Sequence, residues 1–298
     1  MQRKLRARIT NLYLPALYGK CKFYAAFDML RGLIGSGSYL LKDIVFHLLY
    51  VCSDPVNYKP KKPVFCNQSI MPKLVNSLLK RRRCCLIILD AARYDYFESE
   101  YHDFLDGKLL RIYSPASNTP DWLKSIFYDF YDVYYFSTGP FVNRSIKVFG
   151  YEARKHFKRI IEVWKFGTSK KLNTVHPRTL NNVVLLMLSA HRINRLIVHY
   201  AQPHYPYIGG IKKIDPRLPP TAIISAFLRH PMIIEDIRDA YRENLRLGLK
   251  YAAELSTQFN GEVIITADHG ELLGEYGILF HPPIPVPELR EVPWLEVK

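Results

Sequence analysis

Short apolar segments that alternate with helical patterns constrain the fold of this chain more than any other feature of its sequence. Residues 84–89 contain no polar side chain and stop at Asp90, as expected for a strand buried on both faces of a parallel sheet. Similar patterns predict further strands at 109–113, 133–136, 195–200 and 263–266. Helices are predicted at 71–80, 120–128, 180–192 and 234–258. This order predicts an α/β domain with a mostly parallel central sheet and helices on both faces.

The first part of the chain differs in composition from the rest. Residues 1–63 are predicted to form a basic helical arm and a linker rich in proline and lysine, and residues 64–298 to form the α/β domain. In residues 1–31, basic side chains are interleaved with aromatic and leucine side chains, as in helices that lie on anionic membranes. A basic helix packed on its own domain explains the pattern equally well. The apolar stretch 32–51 is not expected to span a membrane, because Lys42 and Asp43 lie at its centre.

Charge and cysteine usage bear on the partner and the compartment. The 298 residues have a formal net charge of +15, which predicts an anionic partner such as a phosphate or sulfate ester or an acidic membrane surface. Nucleic acid is disfavoured, although the charge alone does not exclude it. The adjacent Cys84 and Cys85 are interpreted as small apolar core residues. Unpaired thiols and the lack of a visible secretory signal favour a cytoplasmic chain, free or at the inner face of the membrane.

Four predicted strands lead to residues that suit catalysis or metal binding. These residues are Asp90, the pair Ser117 and Thr119, His204, and Asp268 with His269. Parallel strands place their carboxyl ends at one edge of a sheet, so these side chains are expected to converge there together with His281. Oxygen and imidazole donors without thiolates fit one or two divalent ions, with Zn²⁺ or Mn²⁺ preferred over Mg²⁺ or Ca²⁺. Two such ions would clamp a phosphate between them.

The hydroxyl of Thr119 is the predicted nucleophile. Thr119 precedes a proline and an aspartate, which predicts that it is the N-cap of helix 120–128. The helix dipole and the free N–H groups there favour negative charge, and a bound metal would lower the pKa of the hydroxyl. Ser117, in the same loop, remains an alternative nucleophile.

The turn after the last predicted strand carries two candidate ligands side by side. Gly270 is predicted to permit a tight turn on which Asp268 and His269 converge on one ion. The simpler interpretation is that Asp268 caps a helix that starts at Glu271. This interpretation is less favoured, because three other predicted strands also lead to residues that suit metal binding or catalysis.

Other polar residues near the predicted strand ends receive structural interpretations. His199 lies inside a predicted strand and is interpreted as a core histidine, and Glu271 as a residue of a helix start. Arg93 and Asp95 are expected to pair with each other rather than to act in the site. The basic run 81–83 is interpreted as a solvated cluster.

These motifs resemble the alkaline phosphatase superfamily in its sulfatase-like branch. The resemblance covers roughly residues 84–298 and rests on Leu89-Asp90, Thr119, Pro203-His204-Tyr205-Pro206 and Ala267-Asp268-His269-Gly270-Glu271. The tail that ends at His281 is especially similar to phosphoethanolamine transferases, which carry a metal-binding histidine at that offset. The resemblance implies one metal held by Asp90, Thr119, Asp268 and His269. It also implies a second metal, or the substrate anion, held by His204 and His281.

The sequence departs from sulfatases in the loop of the nucleophile. Sulfatases modify a cysteine or serine within a Cys/Ser-x-Pro-x-Arg motif, whereas residues 117–121 here are Ser-Asn-Thr-Pro-Asp. The resemblance therefore implies metal-dependent phosphoryl transfer, as a hydrolase or a transferase, on a lipid-linked or glycan-type anionic substrate. Sulfate ester hydrolysis on the same scaffold is one alternative. A catalytically inactive basic binding protein of this fold is the other.

Overall fold

The computed structural model describes residues 69–209, 214–230 and 233–298, so the predicted arm and linker lie outside the described residues. The strands are β1 (Cys84–Leu89), β2 (Gly107–Tyr113), β3 (Tyr131–Ser137), β4 (Phe157–Glu162), β5 (Thr168–Ser169), β6 (Thr174–Val175), β7 (Arg195–Tyr200), β8 (Glu262–Thr266), β9 (Leu272–Leu273), β10 (Leu279–Phe280) and β11 (Glu291–Val297). The helices are α1 (Met71–Leu79), α2 (Tyr94–Glu100), α3 (Thr119–Ile126), α4 (Val163–Gly167), α5 (Pro177–Ala190), α6 (Pro220–Arg229), α7 (Ile234–Gln258) and α8 (Pro287–Arg290). Within these ranges, none of the helices combines the length and the apolar character needed to cross a membrane.

The central sheet has seven strands in the order β2-β11-β8-β1-β7-β3-β4. Strands β8, β1, β7, β3 and β4 are parallel to their neighbours in this set. Strand β11 is antiparallel to both β8 and β2, so β2 runs in the same direction as the parallel set. The predicted mostly parallel α/β sheet is confirmed, and each of the five predicted strands is present.

The core is built around β1, whose residues are all buried. Helix α7 packs on β1 and on α5, while α1 packs on β1 and on α3. The apolar spacing predicted for α7 is present, because Tyr241, Leu245 and Leu249 are all fully buried. Cys84 and Cys85 are 0% exposed, which confirms that they are core residues.

Helix α6 lies in a segment whose sequence does not suggest a helix. The glycines and prolines of residues 209–233 predict a loop, yet Pro220–Arg229 is helical. Two prolines precede or begin the helix, where a missing N–H group costs nothing. Ile223 and Phe227, four residues apart, bury one face of it.

Strands β4 and β11 were not expected from the sequence. On β4, exposed Lys158 and Arg159 interrupt the apolar pattern, because β4 is at the edge of the sheet. On β11, Pro293 argues against a central strand, since proline cannot donate to a ladder. Strand β11 nevertheless pairs with β2 over seven residues and with β8 over three. Such pairing joins segments far apart in sequence, and local patterns do not encode it.

Candidate metal centre

The carboxyl ends of β1, β2, β7 and β8 meet at one edge of the sheet. Potential metal ligands form two groups there, and within each group the donor atoms lie within 4.8 Å of one another. The first ligand group is Asp90, Asp268 and His269, and the second ligand group is His204, Glu271 and His281. All five residues predicted as ligands at strand ends or in the tail, together with Thr119, are therefore found at this edge.

Asp268 and His269 are oriented by backbone contacts. Oδ1 of Asp268 accepts hydrogen bonds from the N–H groups of Ala91 (3.1 Å) and His269 (3.0 Å). Nδ1 of His269 lies 2.8 Å from the carbonyl oxygen of Gly270, which makes Nδ1 the protonated nitrogen. The unprotonated Nε2 of His269 therefore faces the other members of the first ligand group. It lies 3.4 Å from Asp268 Oδ2 and 3.6 Å from Asp90 Oδ1.

The electrostatics of the first ligand group favour an ionised carboxylate beside a neutral imidazole. Burial raises the pKa of Asp268, but the adjacent His269 and His199 and the hydrogen bonds from Thr119 and Ala91 outweigh it, so the pKa lies below its ordinary value. For His269, burial lowers the pKa below its ordinary value, although the nearby carboxylate of Asp268 acts in the opposite direction. A neutral imidazole and an ionised carboxylate are the protonation states that bind a metal.

Thr119 is the first residue of α3 and not its N-cap, so that prediction is wrong. Asn118 takes the capping position, with an extended backbone and a side chain that accepts from the N–H of Asp121 at 3.0 Å. The hydroxyl of Thr119 is thus not needed for capping. It donates to Asp268 Oδ2 at 2.7 Å and lies 3.3 Å from His269 Nε2.

The alternative nucleophile, Ser117, is oriented differently. Its side chain is 6% exposed, and within the described residues no hydrogen bond joins it to either ligand group. The other serine of this loop, Ser114, donates its hydroxyl to the backbone carbonyl of Asp268. Among the hydroxyls of the loop, that of Thr119 is in direct contact with the ligand side chains.

A hairpin returns His281 to the site. Strands β9 and β10 pair Leu272 with Phe280 and Leu273 with Leu279, so that His281 follows directly. Gly274 closes the turn at φ +99°, a left-handed conformation that favours glycine. The ring of His281 lies 4.4 Å from that of His269, centroid to centroid.

Hydrogen bonds to α7 and to the residue that follows β1 fix the loop that carries His204. The fully buried Asn244 donates to the carbonyl oxygens of Pro203 (3.0 Å) and His204 (3.1 Å). The N–H of His204 donates to the carbonyl of Asp90 at 3.0 Å. The Nδ1 atom of His204 contacts the carbonyl of Tyr205, and Nε2 lies 2.9 Å from His281 Nε2.

Glu271 completes the second ligand group, and sequence reasoning missed it. It does not begin a helix: it is 0% exposed, and neither carboxylate oxygen has a hydrogen-bond partner among the described residues. Burial raises its pKa from 4.5 to about 8. A buried carboxylate without partners, beside two imidazoles that face each other, fits a divalent ion. In the sequence, the indication that Glu271 belongs to the site was its position directly after Asp268-His269-Gly270.

His199 is the predicted core histidine, but sequence reasoning missed that it also faces the first ligand group. Its Nδ1 accepts or donates at 2.7 Å with the hydroxyl of Tyr135, as a core histidine would. Its buried Nε2 has no hydrogen-bond partner among the described residues and points to the first ligand group, 3.9 Å from Asp268 Oδ2. Burial lowers the pKa of His199 to about 4. Its position one residue before the end of β7 was the only signal.

Gly270 and Arg93 stabilise the turn that carries these residues. Gly270 does not adopt the left-handed conformation that a glycine turn implies. It is required because a Cβ atom there would lie 2.0 Å from the carbonyl oxygen of Glu288. Arg93 pairs with Asp95 at 2.6 Å, as expected, and also with Glu275 at 2.7 Å. It therefore ties the segment after β1 to the hairpin.

The raised pKa of Glu271 predicts a pH dependence of stability in the metal-free protein. The folded carboxyl holds its proton up to pH about 8, whereas the unfolded carboxyl is ionised above about 4.5. The free energy of unfolding should therefore fall by about 2 kcal/mol between pH 6.5 and 8.5. Urea unfolding with EDTA present measures this fall, and Glu271→Gln should abolish it. An equal fall in the variant would show that another group is responsible.

Comparisons with known proteins identify the fold. No protein-family model and no curated protein matches the chain. The soluble domain of lipooligosaccharide phosphoethanolamine transferase A from Neisseria meningitidis has a TM-score of 0.52 at 13% identity, over 72% of this chain and 75% of that domain. The integral membrane form of that transferase gives 0.48 at 12% identity, over 72% and 48% of the two chains, so this chain spans about half of its length. A phosphonate monoester hydrolase from Agrobacterium radiobacter gives 0.48 at 12% identity, over 72% and 68%. The chain therefore has the alkaline-phosphatase-like fold that its motifs predict.

Proposed function

We propose that residues 64–298 form the catalytic domain of a metal-dependent phosphoryl-transfer enzyme with Thr119 as its nucleophile. The observation that carries the proposal is the position of the Thr119 hydroxyl. Thr119 is the first residue of α3, and its hydroxyl contacts both Asp268 and His269. The N. meningitidis protein of the same fold is, by its name, a phosphoethanolamine transferase. Transfer of a phosphoester group is chemistry of this class, which supports the proposal.

The two ligand groups would hold the metal. Asp90, Asp268 and His269, with Thr119, would bind one divalent ion, and the second ligand group would bind another ion or the phosphate oxygens of the substrate. Nitrogen and oxygen donors favour Zn²⁺ or Mn²⁺. A bound ion would lower the pKa of the Thr119 hydroxyl and neutralise charge on the phosphoryl group.

The chemistry of the chain's own residues follows from the position of Thr119. Its Oγ1 forms a bond to phosphorus while the bond from phosphorus to the leaving oxygen breaks, and that oxygen departs as an alcohol after taking up a proton. The hydroxyl proton of Thr119 starts in the hydrogen bond to Asp268 Oδ2. The N–H of Thr119 and the dipole of α3 stabilise the phosphoryl oxygens. Pro120 has no N–H, and the N–H groups of Asp121 and Trp122 already donate to Asn118. Water or an acceptor alcohol then attacks phosphorus and frees Thr119.

The substrate is an anionic phosphate ester, for which the net charge of +15 is favourable. A lipid-linked or glycan-type compound fits both this charge and the basic residues 1–31, which would contact an anionic membrane. The location at the inner face of the membrane stays a prediction.

The function is tested by turnover of p-nitrophenyl phosphate, its phenyl diester and p-nitrophenyl sulfate. The purified chain should cleave a phosphate ester when Zn²⁺ or Mn²⁺ is added and should lose the activity with EDTA. Cleavage of the sulfate alone would favour the sulfatase alternative. A chain that binds neither ion and cleaves none of the esters would favour the inactive binding protein.

A further inference from the structure

A cavity lies at the edge of the sheet opposite to the ligand groups. It occupies ≈ 490 Å³ and is formed where the loops before β1, β7 and β8 meet. Strand β1 has six residues, so the two edges of the sheet are about 20 Å apart. The cavity is therefore separate from the candidate metal centre. The proposed phosphoryl transfer does not involve it.

The polar lining of this cavity is basic. Its polar residues, which we call the basic pocket, are Arg82, Arg83, His191, Arg192, Asn194 and Asn260. No carboxylate lines the cavity. Arg82 and Arg192 form no ion pair with any residue in the described part of the chain, whereas the neighbouring Arg81 pairs with Glu262 at 3.4 Å. Three arginines and one histidine therefore line the cavity without a lining carboxylate.

Backbone hydrogen bonds hold the three loops of the basic pocket together. The N–H of Cys84 donates to the carbonyl of Asn194 at 2.9 Å, and the N–H of Glu262 donates to the carbonyl of Arg83 at 3.2 Å. The guanidinium of Arg83 lies over the ring of Phe259, 5.3 Å from its centroid. The backbone of the pocket and the side chain of Arg83 are therefore positioned before a ligand binds, which lowers the entropy cost of binding.

We propose that the basic pocket binds a phosphate-bearing anion. A guanidinium group matches phosphate oxygens with two parallel hydrogen bonds, and the carboxamides of Asn194 and Asn260 can donate to further oxygens. A volume of ≈ 490 Å³ suits a small ligand rather than an extended chain. The phosphate belongs either to a lipid headgroup at a membrane surface or to a soluble phosphate compound.

The test uses the full chain and a readout located in the pocket. Pyrophosphate is titrated while the imidazole NMR signals of His191 are followed, with the signals assigned by His191→Gln. A saturable shift is expected in the wild type. Arg82→Gln combined with Arg192→Gln should weaken this binding about tenfold or more. The control, Lys147→Gln with Arg159→Gln, removes the same charge from exposed positions outside the pocket. Its affinity for pyrophosphate should stay within twofold of the wild type.

Three outcomes decide the proposal. No saturable shift of His191 in the wild type would overturn it, as would equal weakening in the pocket and control variants. Loss confined to the pocket variant supports it, and turnover of p-nitrophenyl phosphate should then be unchanged. Sedimentation with phosphatidylglycerol vesicles separates the two sources of phosphate. A decrease in the pocket variant relative to the control assigns a lipid headgroup, and equal sedimentation assigns a soluble compound.

Discussion

Replacing Thr119 by alanine should abolish metal-dependent phosphoester turnover while the protein keeps its fold and its metal. Removal of a covalent nucleophile costs on the order of 10⁴-fold or more in kcat. The fold should persist because Asn118, and not Thr119, caps α3. The measurement is kcat for p-nitrophenyl phosphate at saturating metal, together with bound metal by elemental analysis and the melting temperature.

Ser117→Ala is the matched control, because Ser117 lies two residues away in the same loop and is also buried. Its turnover should remain within about threefold of the wild type, since among the hydroxyls of this loop only that of Thr119 contacts side-chain atoms of the first ligand group. Thr119→Ser keeps a hydroxyl and should retain measurable activity. In the wild type, intact mass should reveal one phosphoryl group on residue 119 after a rapid quench. Loss of activity in Ser117→Ala but not in Thr119→Ala would reverse the assignment.

Asp268→Asn should remove metal from the first ligand group and reduce turnover by about 10³-fold or more. The carboxamide has nearly the shape of the carboxylate, and its oxygen can still accept from the N–H groups of Ala91 and His269. The charge needed to bind a divalent ion is lost. The measurement is the number of ions per chain and the increase in melting temperature that Zn²⁺ produces in wild type and variant.

Asp129→Asn removes one carboxylate from an exposed position and serves as the control for charge. It should leave both turnover and metal content unchanged. Undiminished metal content in Asp268→Asn would contradict the proposal that Asp268 is a ligand. Loss of metal without loss of turnover would instead leave the ion with a structural role and would contradict the proposed chemistry.

Much of the candidate site follows from strand ends that local patterns can identify. Asp90 and Asp268 directly follow apolar runs, and parallel strands bring such positions to one edge. The tail from Asp268 returns His281 to that edge through a short hairpin. The sequence therefore predicts which residues converge, although their roles as ligands and nucleophile remain predictions.

The residues that sequence reasoning missed are those whose meaning depends on burial. Glu271 would be an ordinary surface residue on an exposed helix, and only its complete burial beside His204 and His281 makes it a candidate ligand. His199 contacts Tyr135 with one ring nitrogen, and the other nitrogen faces Asp268. A pattern of apolar and polar residues does not distinguish these two surroundings.

The sequence by itself determined the α/β class, five of the seven strands of the central sheet and the set of polar residues at their ends. Hydrophobic periodicity and turn residues act within a few positions of the chain, which is why local patterns identify them. Only the tertiary structure decided that Asn118 caps α3 and leaves the Thr119 hydroxyl to Asp268. It also decided that β11 enters the sheet between β2 and β8, and that Gly270 is needed for close packing against Glu288. The cap is a local contact between Asn118 and Asp121. The other features arise from contacts between segments distant in sequence, whose free energy depends on the complete packing of the sheet edge and not on any local pattern.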